Sequence, residues 1–439
     1  MRVRNRELFG LLPAALLVTA GFAGVFIQRS DNFAKLQSAS LTYGLIFLGL
    51  CLVGHIFIRI TLPYADPYMF PLVAVLACFG IVMIYRISTT DARQQAQWFV
   101  LGLILFAGTI VVFRDYRKLE RYRYVIVTVS LLLLVLPRLP GIQDPVNGTY
   151  LDAHIPGVIV FQPTEFSKIG LVLFLASYLR DTRQVMVMSA RRFLGVTIPP
   201  LKHFGPVLVI WAIAMAILFL LHDIGSSLMF YGALLAVLYV ATNRISFVIV
   251  GLVAFGIGAW YLGAHIPHVH ARVEAWLHPL SPTLYNQPGG SFQVANSMFA
   301  QAAGGMFGQG FGEATLVVPG THYPLLPAPD TDSIYAVITD ELGLFGAAAV
   351  LLTYLLLIAR GFKAAILARD SFSKLLAAGL SAILGLQVFV IVGGVTRVIP
   401  LTGVTLPFIS YGGSSILANF VLVALLLLVS DRARRPSSS

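Results

Sequence analysis

Charge is scarce in this chain. Of 439 residues only 11% are Asp, Glu, Lys or Arg, while 58% are hydrophobic. Mean hydropathy is +0.85. A soluble protein of this length needs far less apolar residue, so composition points to a polytopic membrane protein. Cysteine is also scarce. Cys51 and Cys78 both lie inside apolar runs, which argues against a disulfide framework. Acid is outnumbered, 19 against 30 Lys and Arg, for a net charge of +11. The basic residues sit in short loops between apolar runs. Topology and anionic lipid explain them there, and nucleic acid is not an expected partner. No soluble domain is left over, and no internal repeat of the kind common in solute transporters is visible.

What is present is a series of apolar stretches near the 20 residues that a spanning helix needs. Twelve fit, near 9–27, 41–60, 69–86, 97–113, 123–137, 165–180, 205–221, 225–241, 246–262, 335–360, 375–396 and 413–430. The first could pass for a signal peptide, but it lacks a small-x-small cleavage site and many spans follow it. With twelve spans both termini share a side. That side carries 22 Lys and Arg and the opposite loops seven, which predicts cytoplasmic termini and an extracellular loop over Gly263–Ser333. The expected class is an all-α integral membrane domain over 1–439, with an additional helix pair at 1–62 and the large loop at 263–333.

Polar residues inside spans are costly and therefore candidates for function. FQPTEFSKIG (Phe161 to Gly170) opens the sixth span, with Pro163 suited to a helix start. Glu165 and Lys168 are three apart, on one helix face. They read either as a structural ion pair or as the charged lining of a groove for a polar head group. Asp223, in HDIGSS, suits an N-cap. TRVIPLTGVTLPFISYGGSS (Thr396 to Ser415) breaks a helix at membrane depth, which only protein or a watery cavity tolerates. Its YGGSS end, with Ser414 and Ser415, either offers backbone N–H groups to an anion such as phosphate or is a plain connector.

The large loop contains RVEAWLHPLSP (Arg272 to Pro282), a glycine-rich stretch (Gly289 to Gly312, including Gln293) and PAPDTDS (Pro327 to Ser333). His265, His268 and His270 superficially resemble a metal site but have no acid or cysteine at ligand spacing, so structural zinc is not expected. Trp276 reads as an interfacial anchor. Asp332 is either the cap of the next helix or a carboxylate held at the membrane surface for chemistry. Asp340 and Glu341 early in the tenth span are hard to reconcile with a lipid-facing surface.

FQPTEFSK, HDIGSSL, GGMFGQGFG, TDSIYAVITDELGLFGA and PLTGVTLPFISYGGSS occur here in one order over most of the chain from Phe161. Together they resemble the SEDS family (shape, elongation, division and sporulation), the RodA/FtsW/SpoVE membrane glycosyltransferases of peptidoglycan synthesis. Family members commonly have ten spans. Twelve, with the RNREL start and GGVTRVIPLTG, resembles the RodA-like proteins of actinobacteria. The resemblance implies polymerisation of lipid II into glycan strands at the outer face of the bacterial plasma membrane. It also implies a class B penicillin-binding protein (transpeptidase) as partner, in elongation or division. Such a reaction needs a general base for the acceptor hydroxyl, cationic or N–H partners for a diphosphate, and an apolar groove for the lipid tail. A divalent cation, Mg2+ or Mn2+, would neutralise the leaving group.

One departure matters. The family usually carries an essential Asp in this loop just before a second proline. In WLHPLSP that position is Ser281, and no acid occurs between Glu274 and Glu313. Asn147-Gly148-Thr149-Tyr150 lacks the Arg and Trp that often follow that element, and Asp330 replaces a His usual before Thr-Asp. Three readings follow. The first is an active polymerase with Asp332 as substitute base, Asp330 or Glu274 standing behind it. The second is a lipid II flippase. The third is a SEDS-fold scaffold that regulates a transpeptidase without catalysing. The residues assigned to substrate binding are Glu165, Lys168, Arg272, Gln293, Ser414 and Ser415.

Overall fold

The computed structural model describes residues 2–29, 33–146, 149–155, 159–188, 191–193, 196–198, 201–287, 289–317 and 325–436. It is a helical bundle. α1 (Arg2–Gly10), α2 (Leu12–Arg29) and α3 (Phe33–Thr61) precede α4 (Met69–Ile87), α5 (Thr89–Val112) and α6 (Arg123–Val135). Then come α7 (Pro163–Met188), α8 (Leu201–Leu220), α9 (Ile224–Thr242) and α10 (Ile245–His265). Three shorter helices follow, α11 (Pro267–Leu277), α12 (Pro282–Tyr285) and α13 (Phe292–Gly304), before α14 (Ile334–Leu367), α15 (Ser371–Val395) and α16 (Gly413–Arg434).

Each of the twelve predicted spans coincides with one of these helices. Among the described residues, nine helical segments are long and apolar enough to cross a membrane. The remaining three predicted spans are α6, α7 and α8. α6 has only 13 residues, α7 carries Glu165 and Lys168 in its first turns, and α8 contributes the shorter apolar stretch Phe204–Leu220. The innermost helices are α15 and α16, buried along most of their length, whereas α10 stands at the periphery with only Phe247 buried. Apolar side chains on every face of α15 and α16 are what a helix surrounded by other helices requires.

Two features differ from the sequence reading. Strands occur: β1 (Gln143–Val146), β2 (Thr149–Ile155) and β3 (Ile159–Phe161) form an antiparallel sheet in the order β1-β2-β3. β4 (Arg191–Phe193) pairs with β5 (Val196–Ile198). These strands are three to seven residues long, too short to register against twelve long apolar runs. Second, the described part of the stretch 263–333 contains helices. α10 extends to His265, and α11, α12 and α13 occupy much of the rest.

Close backbone approach shapes the top of the bundle. A Cβ on Gly80 of α4 would lie 2.5 Å from the Phe408 carbonyl oxygen and 2.6 Å from Ile409 Cα, so only glycine admits the irregular 396–412 segment against α4. Arg86 of α4 forms a buried ion pair with Glu341 of α14 at 2.6 Å. Its guanidinium also donates to the carbonyls of Gly312 (2.6 Å) and Ala314 (2.7 Å), fixing the glycine-rich run to the bundle. Of the two unexpected acids of DELG, Glu341 is thereby matched, while Asp340 Oδ1 stays buried without a hydrogen-bond partner among the described residues.

Candidate active site

The 396–412 segment between α15 and α16 has only a few turn-like backbone hydrogen bonds, such as Ser410 N–H to the Leu406 carbonyl, so the rest of its backbone needs other partners. Buried side chains supply them. Gln387 of α15 donates to the Thr405 carbonyl at 3.0 Å. Gln95 of α5 donates to the Ser410 carbonyl (3.1 Å) and accepts from the Gly412 N–H (3.2 Å). The Leu406 N–H donates to Ser410 Oγ at 2.9 Å, and that hydroxyl donates to the Thr331 carbonyl at 2.7 Å. The Tyr411 N–H donates to the Asp330 carbonyl at 2.8 Å, and Tyr354 donates to the Pro407 carbonyl. The broken segment and the loop that carries Asp332 are therefore one built object.

Beneath it lies the FQPTEFSK motif. α7 begins at Pro163. Lys168 Nζ donates to Glu165 Oε2 and to Gln387 Oε1, both at 2.6 Å. Lys168 and Glu165 are 1% and 4% exposed. The chain Glu165–Lys168–Gln387–Thr405 thus runs from a buried ion pair to the floor of the irregular segment. Ser414 Oγ accepts from the Gln162 N–H at 2.8 Å, joining the same motif to the start of α16.

Above this floor is a cavity of about 1030 Å³. Asp332, Arg272, Gln293, Ser414 and Ser415 line it, with Asp223, His222, His268 and the backbone of Gly412 and Gly413. Glu165 and Lys168 do not line it; they are its buried support rather than its surface. Ser281 is not in its wall either: its hydroxyl sits 2.9 Å from that of Thr283. Asp330 and Glu274 are likewise absent from the lining, which leaves Asp332 as the one of the three candidate acids that faces the cavity.

Asp332 does not cap α14, whose N-cap is Ser333, without a side-chain cap bond. Burial pushes its carboxyl up to about 6, against the opposing pull of the Arg272 guanidinium, with Asp330 adding to the rise. A carboxylate in that range is matched to proton transfer near neutral pH. Arg272 of α11 feels both Asp223 and Asp332. It donates a long hydrogen bond to the Leu401 carbonyl, at 3.4 Å, and among the described residues it closes a salt bridge with neither acid. Burial lowers its affinity for a proton, yet an arginine stays charged. It is a cation with hydrogen-bonding capacity to spare, facing the cavity. Asp223 caps α9 as its position predicted, accepting from the Ser226 N–H at 2.9 Å, and burial pushes its carboxyl up. Gln293 donates to Ser333 Oγ at 3.1 Å. α16 starts at Gly413, so its unpaired first-turn N–H groups open beside Ser414 and Ser415.

Gly403 packs directly against Asp332. Its φ is +68°, and a Cβ there would meet Asp332 Oδ2 at 3.3 Å. Gly403→Ala is expected to cost roughly 1 kcal/mol of backbone strain and to displace the carboxylate. A modest fall in melting temperature with a disproportionate loss of activity is the predicted pattern, read by a thermal melt beside a turnover assay.

Other residues singled out in the sequence have partners within the protein. Trp276 is held from both sides. Its indole donates to the Arg397 carbonyl (3.0 Å), while Arg397 Nε donates back to the Trp276 carbonyl (2.8 Å), tying α11 to the broken segment. His265, His268 and His270 do not converge. Nδ1 of His265 and of His270 lie 2.9 Å from the carbonyls of Tyr261 and Gly263, while His268 packs on His222 with ring centroids 4.2 Å apart. Among the described residues no group of three His, Cys, Asp or Glu side chains could hold a metal ion, whereas Mg2+ needs only one or two carboxylates beside water and substrate phosphate. Asn147 and Gly148 lie outside the described residues. The sequence reading passed over Gln387 and Gln95. Their signal was present, a carboxamide in an otherwise apolar span.

The chain is similar to known proteins in both sequence and fold. The sequence model of the cell cycle proteins FtsW, RodA and SpoVE matches residues 67–435. The peptidoglycan glycosyltransferase RodA of Mycobacterium tuberculosis is 39% identical over 444 residues, covering 99% of this chain and 92% of that protein. Stage V sporulation protein E of Bacillus subtilis is 32% identical over 369 residues, covering 82% of this chain and 95% of its own. Among solved structures, a peptidoglycan synthase complex described as coordinating polymerization and crosslinking superposes with a TM-score of 0.67. Identity is 27%, over 85% of this chain and 99% of that one. With its motifs, its helices and its relatives in agreement, the chain belongs to the FtsW/RodA/SpoVE family of multi-pass membrane proteins.

Proposed function

We propose that this chain is a peptidoglycan glycosyltransferase that polymerises lipid II, with Asp332 as its general base. The observation that carries this reading is the Asp332 carboxylate, raised to about 6, facing a large cavity beside an arginine with spare donors; of the other two acids in the wall, Asp223 is engaged as the cap of α9 and Asp152 lies on β2. The acceptor sugar's 4-hydroxyl attacks the anomeric carbon of the donor. The bond from that carbon to the diphosphate oxygen breaks, and the hydroxyl proton passes to Asp332. Arg272 and the first-turn N–H groups of α16 meet the charge that the departing diphosphate gains. The lipid tail leaves the cavity between helices. The face bearing Asp332 lies outside the cell and both termini inside, the orientation that the excess of Lys and Arg on the terminal side favours. A class B penicillin-binding protein crosslinks the product, in line with the synthase complex to which the fold is similar.

A base that titrates near 6 must be ionised to act. Polymerisation therefore falls as pH drops through about 6 and is level on the neutral side. The pH profile of glycan formation from purified lipid II, with the partner transpeptidase present, tests this. Mg2+, Mn2+ and chelator arms belong in the same assay, because a cation carried in on the diphosphate needs no resident site. An acid limb unchanged in Asp332→Glu and Asp332→Asn would remove Asp332 from the role.

The competing reading, a scaffold that regulates the transpeptidase without catalysing, rests on Ser281 standing where the family usually has Asp. It predicts no glycan product at any pH.

A further inference from the structure

A second cavity, of about 530 Å³, lies at the far end of the bundle. Its walls are the residues after α5, the α14–α15 turn and the end of α16, with Leu62. α16 spans 22 residues, so this cavity is about 33 Å from the Asp332 site along the helix axis. It is independent of the proposed chemistry.

Five arginines line it: Arg114, Arg117, Arg369, Arg432 and Arg435. Only two acids face them, Asp370 and Asp431, and both are engaged. Asp370 caps α15, accepting from the Ser373 N–H (3.0 Å) and hydroxyl (2.7 Å). Asp431 accepts from the Tyr64 N–H (2.9 Å) and from Arg435 (2.8 Å). Arg432 reaches out to Asp115 at 3.4 Å, and Arg369 donates to the Arg435 carbonyl. Among the described residues, Arg114 and Arg117 have neither a hydrogen bond nor an ion pair. Five positive charges against two negative leaves the lining at net +3.

A hollow with that surplus and two uncommitted guanidinium groups calls for a phosphate, which arginine binds in a forked geometry. Its surroundings say what bears the phosphate. The floor is apolar, with Leu62, Leu428 and Val429 buried. Val111 and Val112 end α5 two residues short of Arg114, and Ile366 and Leu367 immediately precede Ala368; all four are exposed, Ile366 to 77%. In a multi-pass membrane protein, exposed aliphatic side chains at a helix end face acyl chains. We propose that this cavity is a binding site for the phosphate headgroup of an anionic phospholipid, its acyl chains lying along the ends of α5 and α14. A basic pocket between helix ends on the basic side of a membrane protein has this chemistry.

The test uses the full-length protein in nanodiscs mixed from phosphatidylglycerol and phosphatidylcholine, with retained lipid read by native mass spectrometry. Wild type should keep phosphatidylglycerol in preference. Arg114→Gln/Arg117→Gln should reduce that preference about thirtyfold, the effect of two cations near an anionic headgroup. Arg114→Lys/Arg117→Lys, which keeps charge and guards against a folding defect, should retain most of it. Equal lipid retention by wild type and the glutamine variant would overturn the proposal. So would release of the lipid by millimolar inorganic phosphate, since the site would then serve a free anion.

Discussion

Asp332→Asn is expected to lower glycan polymerisation on the order of 10²- to 10⁴-fold, the range that a positioned general base contributes. The protein should remain folded, and the sign of the stability effect is informative. Burial raises the Asp332 carboxyl to about 6 from an ordinary value of 3.8. Ionising it in the folded state is thus disfavoured relative to the unfolded chain. That penalty is absent at pH below the ordinary value and complete above about 6. Asparagine removes it, so at neutral pH the variant should melt at or above the wild-type temperature while losing turnover. A residue that held the loop together would behave in the opposite way. Circular dichroism melts and a turnover assay on the same preparation separate the two.

Glu165→Ala is expected to cost about 3–5 kcal/mol, the effect of leaving one partner of a buried ion pair alone. Lys168, 1% exposed, would keep only the Gln387 oxygen at 2.6 Å. Because Gln387 also holds the Thr405 carbonyl, the damage should spread to the broken segment that forms the cavity floor. Low recovery of monodisperse protein is the predicted outcome. Glu165→Gln, which keeps a hydrogen-bonding oxygen, should be milder. Replacing both charges, as Glu165→Leu/Lys168→Met, should recover much of the stability. If Glu165→Ala is recovered normally and polymerises normally, the support role is wrong. The pair is better placed for support than for substrate contact, since neither residue lines the cavity.

Much of this molecule was legible in its sequence. Spans are, because twelve apolar runs of near-membrane length have few other uses. The Glu165–Lys168 pair is, because spacing of three puts two charges on one helix face. The Asp223 cap is, because an acid before a helix has one common local partner. Other parts depend on groups distant in the chain. Nothing near Trp276 announces that its indole finds the Arg397 carbonyl, 121 residues away. Gln387 and Gln95 were visible as polar residues in spans, but their use is defined by a helix break elsewhere. The short strands β1 to β3 carry too few residues for a periodic signal against the helical background. Asp332 sat between two readings, cap and carboxylate. Only the side chain's place in the cavity wall separates them, because a capping aspartate and a catalytic one look alike in sequence.

The most direct measurement is glycan-strand formation from purified lipid II by the full-length protein with its transpeptidase partner, comparing wild type, Asp332→Asn and Ser281→Asp. Polymer from wild type that disappears in Asp332→Asn is the predicted result. No polymer from wild type, with polymer gained in Ser281→Asp, would contradict it and identify a chain that keeps the fold while catalysis has lapsed at position 281.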